Sequence, residues 1–415
     1  MRPLLLLAGL GGLLYGIDTG IIAGALPLLA TTAAVSWKLG PQQLSFVVAA
    51  VLLGSVLASL GTGALADLLG RKPVLVLAGA LFSLSIPVIA MAGGYTALLL
   101  GRLLQGVSCG LIGVALPLYL AETLDPGRRG AGTAVFQLFL TAGLVAAALI
   151  GLHYAGAGPA GADRAWRAIF WACLAPGVLF TGAALALRES PRWPAPAAPR
   201  GPLLCRGHVR PFLLACAILA CNQATGVNSV LAYGVTLLHR AGLPGTAANR
   251  GDLALKGVNL VMTGVAVLLV DRLGRRSLLL LGSAGACLAL AAAGALFLGA
   301  ESGWLTADRA HGWLVAGCLS AFMGAFAVGP GVCVWLALSE LLPARIRANG
   351  MSAALLVNQL VATLIAAVFL PAVARHGYAA MLFAWAAGAS VYFLIVLAFL
   401  PETRGRTLEA IEADW

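Results

Sequence analysis

Two charged residues, Asp18 and Arg102, lie deep inside long apolar runs, and chemistry is to be sought there first. An ionised side chain near a bilayer centre costs at least about 2.5–3.5 kcal/mol on insertion scales, so such a residue is kept when it is paired or functional. Burial opposes ionisation of a carboxylate and a nearby guanidinium supports it, so changing surroundings can load or unload a proton. Asp18 therefore reads as a proton carrier, or else as a structural hydrogen-bonding group. Arg102 keeps its proton and reads as a fixed positive partner, or as a structural pair with a carbonyl or with Glu122.

Six neutral amides punctuate other apolar runs: Gln137, Asn222, Gln223, Asn228, Asn259 and Asn358. An amide offers donors and an acceptor, which suits a polyol whose hydroxyls do both. Each amide serves equally as a helix–helix hydrogen bond. Gln223 and Asn228 are five apart, about 140° around a regular helix, so a break at Gly226 is needed to aim both at one site. Trp335 follows Gly329-Pro330-Gly331, a run that bends or loosens a helix. Its indole face would stack on the C–H surface of a pyranose; the other reading is a tryptophan at the lipid interface. Lys256, one turn before Asn259, is expected to snorkel to the outer interface, with recognition of an anionic solute as the alternative.

The elements that hold these residues follow from composition. The chain has 415 residues, 61% hydrophobic and 10% charged, with a mean hydropathy of +0.97. A soluble domain carries roughly 25% charge, so a soluble enzyme, a nucleic-acid binder and a disordered protein are excluded. Apolar stretches fall near 4–29, 44–66, 73–92, 96–120, 131–152, 166–187, 211–238, 253–270, 277–299, 312–338, 350–373 and 378–400. They match the roughly 20 residues of a membrane helix and lack the alternation of strands. An all-α membrane protein of twelve transmembrane helices is expected. The first run resembles a signal peptide after Arg2, but it continues to about Leu29 without a cleavage site and reads as the first span. The eight cysteines show no metal-ligand spacing, and all but Cys205 fall in apolar runs.

Loop charge sets the orientation. One set of loops carries 17 of the 26 lysines and arginines and the other set 8, which predicts a cytoplasmic position for both termini. The loops also repeat. Asp67…Gly70-Arg71-Lys72 after span two matches Asp271…Gly274-Arg275-Arg276 after span eight. Glu122, seven before Arg129, matches Glu340, seven before Arg347; Glu189…Arg192 after span six echoes Glu402…Arg404 after span twelve. Ordered matches of this kind imply a parallel repeat of two six-helix halves. The expected division is 1–193, a proline-rich linker over 194–210, and 211–415. Charge runs are usually solvated faces, but their repetition predicts a cytoplasmic gate that latches the outward-open state and breaks as the halves rock.

These motifs resemble those of sugar porters in the major facilitator superfamily, over nearly the whole chain. The matching residues are Gly11-Gly-Leu-Leu-Tyr-Gly-Ile-Asp18, Asp67…Gly70-Arg71-Lys72, Gly101-Arg102…Gly106…Gly110, Glu122…Arg129-Gly130, Glu189-Ser-Pro-Arg-Trp193, Gln223-Ala-Thr-Gly226-Val-Asn228, Gly329-Pro-Gly331…Trp335…Glu340 and Pro401-Glu-Thr-Arg-Gly405. The chain departs from the family at Asn222, usually Gln, at Ala232-Tyr233, usually Tyr-Tyr, and at Asn358-Gln359, usually Asn-Trp. The family's helical bundle between the halves is nearly absent.

The resemblance implies the major facilitator fold, with Gln137, Asn222, Gln223, Asn228, Asn259, Trp335, Asn358 and Gln359 around a sugar. Asp18 stands where proton-coupled porters have Asp and facilitative animal glucose carriers usually have Asn, which favours proton–monosaccharide symport. Facilitated diffusion, a non-transporting sugar sensor and export of another solute are the alternatives. No nucleotide-binding, nucleophile–histidine or metal motif appears. The expectation is thus a monomer in the lipid bilayer of a cell membrane, without cofactor, metal, nucleic-acid partner or enzymatic activity.

Overall fold

The computed structural model describes residues 2–32, 36–124, 129–191, 193, 208–342 and 346–402. Arg192 and positions 194–207 of the expected linker lie outside the described residues, as do the side chains of Arg129, Asp271 and Arg347. Among the described residues the secondary structure is helical, and eleven continuous helical stretches are long and apolar enough to cross a membrane.

Two of the expected spans are merged in the last stretch. The helix Arg347–Phe399 runs for 53 residues, but Gly377 within it has φ 83° and ψ 169°. At 1.5 Å per residue such a helix would measure about 80 Å, more than twice the hydrocarbon thickness. The non-helical glycine therefore marks the reversal between spans eleven and twelve, and Glu301 accepts the Tyr378 amide beyond it at 2.7 Å. Twelve crossings result.

Helices in lipid gain contact by close approach of their backbones. Span one (Arg2–Thr32) does so through Gly12, Gly16, Gly20 and Gly24, four apart on one face. A Cβ at Gly20 would stand 2.9 Å from that of Ala147, and one at Gly24 would stand 2.7 Å from the Cα of Gly151, both in span five (Arg129–Tyr154). Span four (Tyr95–Thr123) meets span two (Pro41–Leu69) in the same way, with Gly110 against Ser55.

Several crossings are broken. Span six is Ala162–Trp171 followed by Leu174–Leu185. Span seven is Val209–Ala224 followed by Val227–Arg240, with Gly226 between them in the left-handed conformation, φ 76°. Span ten is Arg309–Phe326, a π-helical turn Ala327–Gly331, and Cys333–Leu341.

The repeated loops fold alike. Gly70, φ 99°, ends span two, and Glu189 accepts the amides of Arg71 and Lys72 at 2.9 and 3.1 Å. Gly274, φ 86°, ends span eight (Thr246–Leu273), and Glu402 accepts those of Arg275 and Arg276 at 3.1 and 3.2 Å. Arg71 pairs with Glu122 at 2.9 Å, and Arg275 with Glu340 at 3.2 Å. The face carrying these loops is the basic face. Among the described residues, hydrogen bonds between the halves lie from mid-helix to the opposite face: Gln42 donates to the Ala367 carbonyl, the Leu370 amide to Ser45 Oγ, Gln359 to Ser55 Oγ and Lys256 to the Gly20 carbonyl.

Candidate functional site

Asp18 and Arg102 come together inside the first half. Span one presents the carboxylate and span four the guanidinium, each side chain 2% exposed, with 3.7 Å between Arg102 Nη1 and Asp18 Oδ1. That separation is an ion pair but too long for a hydrogen bond. The short bond of Arg102 goes to Gln105 Oε1 at 2.6 Å, and its guanidinium lies 5.7 Å from the ring centre of Phe170. Asp18 receives the thiol of Cys109 on Oδ2 at 3.0 Å, while Oδ1 is buried without a hydrogen bond. The carboxylate is thus held loosely and its arginine is braced by other groups. Gln105 and Cys109, three and seven residues beyond Arg102 on one helix face, went unnoticed in the sequence although their spacing marks them.

The amides gather in the second half around the break in span seven. Asn228 Nδ2 donates to Gln223 Oε1 at 2.8 Å, Gln223 Nε2 to Asn358 Oδ1 at 3.1 Å, and Asn358 Nδ2 to the Leu219 carbonyl at 3.0 Å. The left-handed Gly226 makes this possible, since it lets side chains five apart on the sequence meet. It also admits Trp385, whose ring occupies the space a Cβ at Gly226 would fill. Trp385 stacks on Phe369 at 5.5 Å, and Phe369 meets Tyr233 in a tilted contact at 4.3 Å, so an aromatic column backs the break. Trp385 carried no signal in the sequence beyond being a tryptophan in an apolar run.

The other expected ligands are placed less uniformly. Asn259 is buried on span eight, Gln137 half-buried on span five, and Trp335 half-buried just past the π-helical turn. Asn222 is committed to the bend of span ten, donating to the Pro330 carbonyl at 3.0 Å. Gln359 crosses to the other half and donates to Ser55 Oγ at 3.2 Å. Lys256 corrects the expectation of a snorkelling side chain. It is buried, 2.6 Å from Asp252 and 3.3 Å from the Gly20 carbonyl, because a carboxylate one turn away supplies the charge that water would otherwise give.

On the basic face the gate residues form two clusters, each within one half. Asp67, Arg71, Glu122 and Glu189 make the first; Arg275, Glu340 and Glu402 make the second. The ion pairs Arg71–Asp67, Arg71–Glu122 and Arg275–Glu340 each lie within one half. On the opposite face a crevice of about 590 Å³ opens between the halves, lined by Leu26, Thr31, His239, Arg240 and Asn249 among others. It holds none of the amides expected to bind sugar.

Comparison with known proteins bears on the fold and the family. The structure superposes on the inward-open xylose transporter XylE from E. coli with a TM-score of 0.85, at 24% identity, covering 99% of each chain. The glucose transporter GlcP of Staphylococcus epidermidis is 29% identical, covering 99% of this chain and 96% of its own. The arabinose-proton symporter of Bacillus subtilis is 27% identical, covering 98% and 93%. The family model described as sugar (and other) transporter matches residues 4–196 and 200–415. With twelve crossings, a loop repeat and matches along both halves, the chain belongs to the sugar (and other) transporter family.

Proposed function

We propose that this transporter carries a monosaccharide together with protons by alternating access, as a monomer in a cell membrane with its basic face and both termini in the cytoplasm. The observation that carries the reading is the loosely held Asp18, a buried carboxylate 3.7 Å from a braced arginine and with one oxygen free of hydrogen bonds. Such a group accepts a proton without losing a tight partner. The amide chain supports a sugar as cargo: Gln223, Asn228 and Asn358 line the break in span seven, and we assign Gln137, Asn259 and Trp335 to the same sugar. Asn222 and Gln359 act at one remove, Asn222 by fixing the bend of span ten and Gln359 by bridging the halves. The relatives named above, which carry glucose, or arabinose with protons, support the same cargo and ion.

On this reading the inter-half bonds on the outer side belong to a state closed to the outside. In the opposite state the two basic-face clusters, with Arg129, Arg192, Asp271 and Arg347, approach one another as the cytoplasmic latch. Purified protein in proteoliposomes, offered a panel of radiolabelled monosaccharides with and without an acid exterior, tests the function. At least one sugar is expected to accumulate above equilibrium only with the pH gradient. Equilibration without accumulation for every sugar would replace symport by facilitated diffusion, and no uptake at all would remove the sugar.

A further inference from the structure

Span eight holds a second buried acid and base that symport through Asp18 leaves unused. The side chains of Asp252 and Lys256 are 3% and 1% exposed. Lys256 Nζ donates to Asp252 Oδ2 at 2.6 Å, and the same nitrogen donates across the seam to the Gly20 carbonyl of span one at 3.3 Å. Asp252 Oδ1 is buried without a hydrogen bond and lies close over Gly234 of span seven, where a Cβ would stand 2.5 Å from it.

A buried ion pair stabilises little by itself, because desolvation offsets most of the attraction and well-packed apolar residues often do better. Holding span eight to itself is therefore a poor account of these two charges. What they add is a charged donor that reaches the other half. A carbonyl has two lone pairs, so the Gly20 oxygen can serve its own helix and still accept from Lys256.

We propose that Lys256 is a strap that closes the outer face, with Asp252 as the counter-ion that travels with it. The two lie one turn apart on one helix, so rocking of the halves leaves their bond intact and breaks only the bond to Gly20. No charge is orphaned when the gate opens, and closure regains a charge-assisted hydrogen bond. Gly20 is two residues beyond Asp18, so the strap ties the helix bearing the proton site to the sugar-binding half. Lys256 and Asp252 are thus positioning residues for the conformational step. The proposal rests on alternating access, whichever solute is carried.

The test reads outer-gate opening rather than uptake. A Val235→Cys reporter, at a position beside the outer crevice that is only 3% exposed while the halves are bonded, is labelled with an impermeant maleimide in vesicles that expose only the outer face. Native cysteines are counted in a control without the reporter. Replacing both charges, Lys256→Met with Asp252→Leu, leaves no unpaired charge and is expected to speed labelling about tenfold, the scale of one charged hydrogen bond. Labelling at the parent rate, with or without a lowered unfolding temperature, would overturn the strap and leave the pair structural. Should the double variant fail to assemble, Lys256→Gln is read in the same assay, with about threefold faster labelling expected and an unchanged rate again overturning the proposal. Uptake plays no part in this measurement, so a wild type that accumulates no sugar would defeat symport while the strap result stands.

Discussion

The two halves distribute their buried polarity differently. The first half keeps charge, with Asp18 on span one facing Arg102 on span four. The second half keeps amides, joined from Asn228 through Gln223 to Asn358. Its buried ion pair, Asp252 with Lys256, sits within one turn of a single helix. A pair spread over two helices changes its separation when those helices shift, and with it the balance between the charged and neutral carboxyl. A pair on one helix keeps its separation wherever the helix goes. On the proposed function, switching of charge falls to Asp18 and Arg102 and recognition to the amides, and the pair on span eight is suited to constant duty.

The largest effect expected from this division is at Asp18. Asp18→Asn resembles the protonated carboxyl permanently, so proton-driven accumulation should be abolished while sugar counterflow, which needs no net proton movement, continues. Wild type and variant reconstituted side by side give the comparison. If the variant accumulates sugar as well as wild type does, the carrier is another group and the charge in the first half is structural.

A smaller effect is expected in the second half. Gln223→Ala or Asn228→Ala should weaken sugar binding by about 1–3 kcal/mol, the cost of leaving a hydroxyl or its partner unpaired. Coupling should survive: whatever sugar still enters should do so against its gradient when the exterior is acid. Competition against a radiolabelled sugar measures the affinity. Unchanged affinity in both variants, for every sugar carried, would dissolve the division between a charged half and a recognising half.

The sequence made much of this legible, and the reasons for the gaps are physical. Asp18 and Arg102 stood out because charge is expensive in an apolar run. The break at Gly226 was required by the 140° that a regular helix puts between Gln223 and Asn228, and the structure has a left-handed glycine there. Spans eleven and twelve were separated in the sequence by polar residues, whereas the reversal itself turns on Gly377 and on Glu301, a carboxylate some 75 residues away in sequence. Lys256 was misplaced because its nearest polar neighbour in the reading was Asn259; Asp252, four residues before it, offers the i,i+4 partner that keeps the ammonium buried. Arg129 and Arg347 read in the sequence as matched members of the cytoplasmic gate, and their side chains lie outside the described residues.

The smallest effect is the one that should be equal in both halves. Glu189 and Glu402 each accept two amides in the first turn of an earlier helix of their own half, Glu189 at span three (Arg71–Ala90) and Glu402 at span nine (Arg275–Glu301). The first amides of a helix have no partner within it, and the helix end carries partial positive charge. A carboxylate there is worth about 0.3–1 kcal/mol, somewhat more when partly buried. Glutamine keeps an acceptor oxygen and removes the charge, so Glu189→Gln and Glu402→Gln should each lower stability by that amount, measured by unfolding in mixed micelles. The two losses should match, because the glycine before each helix adopts nearly the same backbone conformation, φ 99° and 86°. A clear loss at one position with none at the other would mean that the repeat survives in the backbone but not in the energetics. The division of labour proposed for the core would then extend to the loops.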